Sequence, residues 1–221
     1  MVASGRDSLV HSYLYLRRAI GLIGVALPFV LVLGNLLLTG EVLTSISYYY
    51  YSGLRDVYVG AMCAVGVFLL SYRGEDLVED IVSDLAAVAA IGVALFPTVP
   101  AFDPSVGARI TGVLHVVFAA VFFLSLAYFC LVRFRASDRA HATRRETQRD
   151  ALYVTCGVAI LACLAGIVLT GWLFEDALRD LRPVLVLETA GTLAFGLAWL
   201  TKGEAILGDV DREPATAAAG A

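Results

Sequence analysis

Charge is what this chain has least of. Asp, Glu, Lys and Arg make up only 16% of its 221 residues, where soluble domains carry about a quarter. That shortfall excludes an ordinary water-soluble globule. Lysine is reduced to Lys202, and the net charge of −4 leaves no basic field for a nucleic acid. Histidine is scarce as well: His11, His115 and His141 stand far apart, with no His-Glu-Xaa-Xaa-His pattern of a zinc hydrolase. The Gly-Xaa-Ser-Xaa-Gly elbow and the phosphate loop are missing too. No metal or cofactor is expected. Cys63, Cys130, Cys156 and Cys163 fall in apolar stretches and form no disulfide framework; they read as small buried side chains. No internal repeat is visible, which argues against the inverted-repeat build of transporters.

What is present is hydrocarbon, in blocks. Hydrophobic residues make up 59% and the mean hydropathy is +0.80. A bilayer core needs about 20 apolar residues in helical form, and six stretches approach that. They are Ala19–Leu38, Val57–Tyr72, Leu85–Pro100, Ile110–Val132, Ala151–Phe174 and Pro183–Leu200. The second and third are short and must borrow flanking residues. The expected fold is an all-α membrane protein, a six-transmembrane-helix bundle over residues 19–202. Residues 1–18 form a polar lead, and 203–221 a disordered, Ala-rich tail. The first block is longer than the roughly 7–15 apolar residues of a signal peptide, so it reads as a span.

Arginines orient the bundle, because basic residues flanking spans stay cytoplasmic. With six spans and both termini inside, Arg6, Arg17, Arg18, Arg73, Arg133, Arg135, Arg139, Arg144, Arg145, Arg149, Lys202 and Arg212 are cytoplasmic. Only Arg55, Arg109, Arg179 and Arg182 lie outside. Arginine's excess over lysine suits a GC-rich bacterial genome, and the expected location is a bacterial cytoplasmic (inner) membrane. The inner loop from Arg73 to Asp84 is acidic at Glu75, Asp76, Glu79, Asp80 and Asp84. Its spacing suits an amphipathic helical lead into the third span. The other inner loop, Arg133–Arg149, is basic. It can pair with the acidic loop or attract anionic headgroups. Membrane lipids are the expected partners; the oligomeric state is left open.

The most individual stretch is Ser45-Ile46-Ser47-Tyr48-Tyr49-Tyr50-Tyr51-Ser52, followed by Arg55-Asp56. Tyrosine favours the membrane–water boundary, where its ring and hydroxyl are both satisfied. The segment is an interfacial belt, or, if extended with alternate rings facing opposite sides, a lid over the bundle mouth. Ser45 and Ser47 suit turn-making or capping before the second span.

Ionisable groups inside a span are costly and mark functional sites by default. His115 and Glu188 are the two firm cases, and Asn35 is a third polar group near the same outer end. Together with Ser45, Ser47, Tyr48, Tyr49, Arg55 and Asp56 they form the candidate ligand-binding set. One alternative is a closed hydrogen-bond network that pins the helices, with Glu188 paired to Arg55 or His115. Another is an outward pocket for a lipid or small amphiphile; a third, a metal site of His115, Glu188 and Asp56, is poorly specified by one histidine and two carboxylates at unrelated spacings.

The run Ser45-Ile46-Ser47-Tyr48-Tyr49-Tyr50 leading to Arg55-Asp56-Val57-Tyr58-Val59-Gly60 resembles a recurrent motif of bacterial six-span membrane proteins grouped as a domain of unknown function. Phe195-Gly196-Leu197-Ala198-Trp199-Leu200-Thr201-Lys202-Gly203, with Glu188 ahead of it, resembles their C-terminal signature. That resemblance implies the six-span topology and no activity. A comparison with the ceramidase and adiponectin-receptor hydrolases fails at their zinc-binding His-Xaa-Xaa-Xaa-His, which three dispersed histidines cannot supply. The expected function is non-enzymatic binding or sensing of a lipid or small amphiphile. An intramembrane lipid hydrolase is the alternative, and a small-solute transporter the second.

Overall fold

The computed structural model describes residues 2–74, 76–135, 143–173 and 181–207, with side chains from residue 12 onward and excluding 171–173. These residues form six helices: α1 Val2–Thr39, α2 Arg55–Ser71, α3 Leu77–Leu95, α4 Val106–Tyr128, α5 Arg144–Leu173 and α6 Pro183–Lys202. A short 3₁₀ turn, Ser47–Tyr51, precedes α2, and a π-helical turn, Phe129–Arg133, ends α4. Among the described residues, four stretches are long and apolar enough to cross a membrane: Ser12–Thr39, Val106–Arg133, Arg144–Thr170 and Pro183–Lys202. Helices α2 and α3 do not qualify by that measure. Helix α2 has 17 residues, and α3 carries Glu79, Asp80 and Asp84 near its start.

Local chemistry explains the boundaries. The Asp76 carboxylate accepts from the Glu79 backbone N–H at 3.0 Å and starts α3. Ser105 does the same for α4 through Ala108 N–H at 3.2 Å. Before α5, Thr143 and Glu146 form a reciprocal capping box, each side chain accepting from the other's backbone N–H. Helix α6 opens with Pro183 at its first position, where a missing N–H costs nothing. The residues read as a polar lead are helical from Val2 and run straight into the first span. Nothing between Arg18 and Ala19 breaks the hydrogen-bond ladder. Likewise α3 starts at Leu77, the amphipathic lead that the acidic spacing predicts, and stops at Leu95, short of Pro100.

The helices pack in chain order as a closed ring: α1 on α2, α2 on α3, α3 on α4, α4 on α5, α5 on α6, and α6 back on α1. The closing seam is made by glycine. A Cβ on Gly21 would lie 2.7 Å from the Leu200 backbone N and 2.8 Å from the Gly196 carbonyl oxygen. A Cβ on Gly196 would lie 2.7 Å from the Val25 backbone N. Only the missing side chains let the two backbones touch, as close-packed membrane helices require. Outward faces remain apolar on every helix, for example Leu33, Val67, Val88, Val116, Val158 and Val186. Water would not tolerate so much exposed hydrocarbon, whereas lipid does.

One end of the ring holds the loops after α1 and α3 and the start of α6. The other end is tied by charge and aromatic rings. Arg133 bonds Asp76 at 2.7 Å and Glu79 at 3.1 Å, joining the acidic loop to the start of the basic one. Tyr72 donates to Glu79 at 2.6 Å, and Arg17 donates to Tyr72 at 3.3 Å. Behind them Tyr72, Phe129, Phe134 and Phe195 surround Trp199, which is 0% exposed. The start of the tail docks here: Arg18 donates to the Gly203 carbonyl at 2.6 Å. The tail from residue 208, part of the basic loop (136–142) and Glu75 lie outside the described residues.

Candidate functional site

The tyrosine segment sits at the end opposite this charge cluster. It is a 3₁₀ turn rather than an extended strand, so its side chains repeat every three residues, not every two. Tyr48 and Tyr51 therefore eclipse, with ring centroids 5.4 Å apart. Both reach the loop between α3 and α4: Tyr51 donates to the Thr98 carbonyl at 2.6 Å, and the Tyr48 hydroxyl accepts from Ala101 N–H at 2.8 Å. Burial first, then the neighbouring Tyr50 and Tyr48, raise the Tyr51 hydroxyl above its ordinary pKa. It stays protonated and able to donate. Tyr49 points inward and is fully buried, and Tyr50 packs under Arg55, whose guanidinium lies 4.3 Å from the ring centroid.

Ahead of that turn, the chain dips into the ring. The Ser45 hydroxyl accepts from Tyr48 N–H at 3.0 Å, so Ser45 makes the turn the sequence suggests. Ile46 N–H donates to Glu188 Oε2 at 2.5 Å and Ser47 N–H to the same oxygen at 3.4 Å. The Ser47 hydroxyl donates to Glu188 Oε1 at 3.2 Å. Non-helical backbone at membrane depth must find partners inside the protein; Glu188 supplies them. Its own helix adds a brace, since the Thr192 hydroxyl donates to the Glu188 carbonyl at 2.7 Å.

Beneath this contact lies a cavity of about 50 Å³. Ser47, Tyr58 and Glu188 form its polar end, and Leu27, Phe122 and Phe195 belong to its hydrocarbon walls. Tyr58, from the second turn of α2, is 2% exposed and its hydroxyl completes no hydrogen bond, although it lies beside Ser47. A smaller niche of about 10 Å³ between α4, α5 and α6 shares Phe123 and Glu188 with the main cavity. Glu188 thus borders both spaces.

The sequence-predicted set divides. Ser47 and Glu188 meet at the cavity; Ser45, Tyr48 and Tyr49 build the turn above it. Asn35 does not join them. Its amide donates to Thr39 at 3.0 Å and to the Glu41 carbonyl at 2.9 Å, finishing α1. His115 does not either: its Nδ1 lies 2.7 Å from the Phe96 carbonyl oxygen and ties α4 to the end of α3. Arg55 and Asp56 are exposed in the first turn of α2. Glu188 is therefore paired with neither Arg55 nor His115, because the inserted loop's backbone occupies its oxygens first. Tyr58 and the aromatic walls were invisible to a search for ionisable residues. Three residues past Arg55, Tyr58 stands too near the interfacial tyrosines for its type alone to have signalled burial.

Among the described residues no group of three or more His, Cys, Asp or Glu side chains is placed to hold a metal ion. Ser47 donates to Glu188 and His115 bonds Phe96, so these two do not form the nucleophile–base pair a hydrolase would need. No family model, curated protein or solved structure matches the chain.

Proposed function

We propose that this protein is a six-span integral membrane protein that binds, without catalysis, a small amphiphile in its central cavity. Lipid-derived molecules are the natural source, and the bacterial cytoplasmic membrane, with both termini inside, is the proposed location. The cavity carries the reading. It joins a polar end of Ser47, Tyr58 and Glu188 to hydrocarbon walls, and one buried hydroxyl there is free to bond a ligand. A cavity of 150 Å³ admits benzene, so about 50 Å³ holds a headgroup and a carbon or two, with any longer chain left outside it.

Six crossings are supported by the ion pairs at the far end. Arg133, at the end of α4, bonds Asp76 and Glu79 at the α2–α3 turn, so that turn lies level with the end of a helix long enough to span. At about 1.5 Å per residue, the 17 residues of α2 and 19 of α3 cover most of a core about 30 Å thick.

The test is ligand-induced stabilisation of the purified protein in maltoside detergent. Short 1-alkanols and alkyl amphiphiles of increasing chain length should raise the melting temperature saturably. Ala119, on α4, also lines the cavity; filling it by Ala119→Leu should abolish that rise while leaving the fold intact. Equal stabilisation of the filled variant would sink the reading.

A further inference from the structure

Resting on that reading of the cavity, we propose that its ligand is a small organic cation, a primary ammonium group on a short alkyl chain. Glu188 is the reason to expect positive charge. Its three side-chain contacts are all donors, two backbone N–H groups and the Ser47 hydroxyl, the pattern of an acceptor-only carboxylate. Yet no arginine, lysine or histidine stands within ion-pair distance of it among the described residues. Two carboxylate oxygens offer about four acceptor sites, so at least one remains for a ligand. An ionisable group in a span is ordinarily paired, and here the partner is left to come from the cavity.

The rest of the lining selects the kind of cation. A hard metal ion would need several more oxygens, whereas the walls beyond Ser47 and Thr192 are hydrocarbon and aromatic. Tyr58, Phe122, Phe123 and Phe195 put four aromatic rings in the lining, and aromatic rings can attract ammonium groups through their π faces when water is excluded. The Tyr58 hydroxyl, without a partner, can accept from an ammonium N–H beside the carboxylate. A quaternary ammonium has no N–H to give, so a primary amine uses more of this site.

The experiment compares charge at constant shape. Protein in maltoside detergent is titrated with ethyl- to hexylammonium and with 1-alkanols of matched length, following melting temperature and heat of binding at fixed ionic strength. The ammonium series is expected to bind at least tenfold more tightly than the alcohols. Glu188→Gln, which keeps an acceptor for the loop N–H groups, should reduce that preference to near unity. Tyr58→Phe should narrow the gap between butylammonium and tetramethylammonium. Alcohols binding as well as ammonium ions would overturn the charge assignment but leave the cavity-binding reading standing. If neither series binds, both fall. Should Glu188→Gln fail to fold, the wild-type comparison and Tyr58→Phe still decide, because a primary-ammonium preference untouched by Tyr58→Phe also overturns the assignment.

Discussion

Glu188 shows how one side chain can be both glue and site. Removing it strands three donors of the inserted loop, and each buried unsatisfied donor costs about 1–3 kcal/mol. Glu188→Ala is therefore expected to lower the melting temperature sharply in detergent. Glu188→Gln should stay within a few degrees of wild type, since its carbonyl still accepts. Asp76 offers a second test at the other end of the ring. The Glu79 backbone N–H, then the Arg133 guanidinium, hold its carboxyl below the usual carboxylate pKa. A depressed value contributes stability above the unfolded pKa and loses it as pH falls through the folded one. Stability should therefore drop on the acid side, and Asp76→Asn, which can still cap α3, should flatten that drop. Melting curves from neutral pH to about pH 3 cover that range.

At the scale of elements, the α1–α6 seam and the 3₁₀ turn matter most. Gly21→Val and Gly196→Val each drive a side chain into backbone at under 3 Å. Overpacking of this kind costs about 1–3 kcal/mol, and backbone contact puts both variants at the upper end. Loss of monodisperse protein by size exclusion, or a lowered melting temperature, is the expected result. An unchanged melt would mean that the seam opens without cost. The turn's hydroxyls link it to the α3–α4 loop through Thr98 and Ala101. Tyr51→Phe should leave the bundle folded yet speed hydrogen exchange in both segments. The apolar run of α1 was plain in the sequence, and so was the amphipathic start of α3. The 3₁₀ geometry was not, because four tyrosines carry no period, and only their partners choose between three residues per turn and two.

For the whole molecule, membrane topology is the decisive measurement. Cysteines placed at exposed positions in a background lacking the four native ones report sidedness to an impermeant maleimide. Phe102→Cys should label on intact cells. Leu77→Cys and Gln148→Cys should label only after permeabilisation. Labelling of Leu77→Cys from outside would reduce the crossings to four, with α2 and α3 as a hairpin that does not span. The ring order gives this test its force, since Arg133 holds Asp76 to the far end of α4.

Helical structure and an affinity for lipid follow from the order of residues without reference to packing. Transfer of each side chain into hydrocarbon is a local, nearly additive quantity, so blocks of apolar residues announce helices wherever they later pack. The sequence also marked Glu188, His115 and Asn35 as polar groups needing partners, and left the basic loop open between the acidic loop and anionic headgroups. Tertiary structure alone decided which partners they found. Glu188 meets Ile46 across 142 residues of chain, while Asn35 and His115, of equal promise in the sequence, bond close at hand to a helix end or a neighbouring carbonyl. Hydrogen bonds depend on position and angle to within tenths of an ångström. Those are properties of the closed ring, fixed when α6 packs back on α1 and the tyrosine turn is drawn in over the cavity.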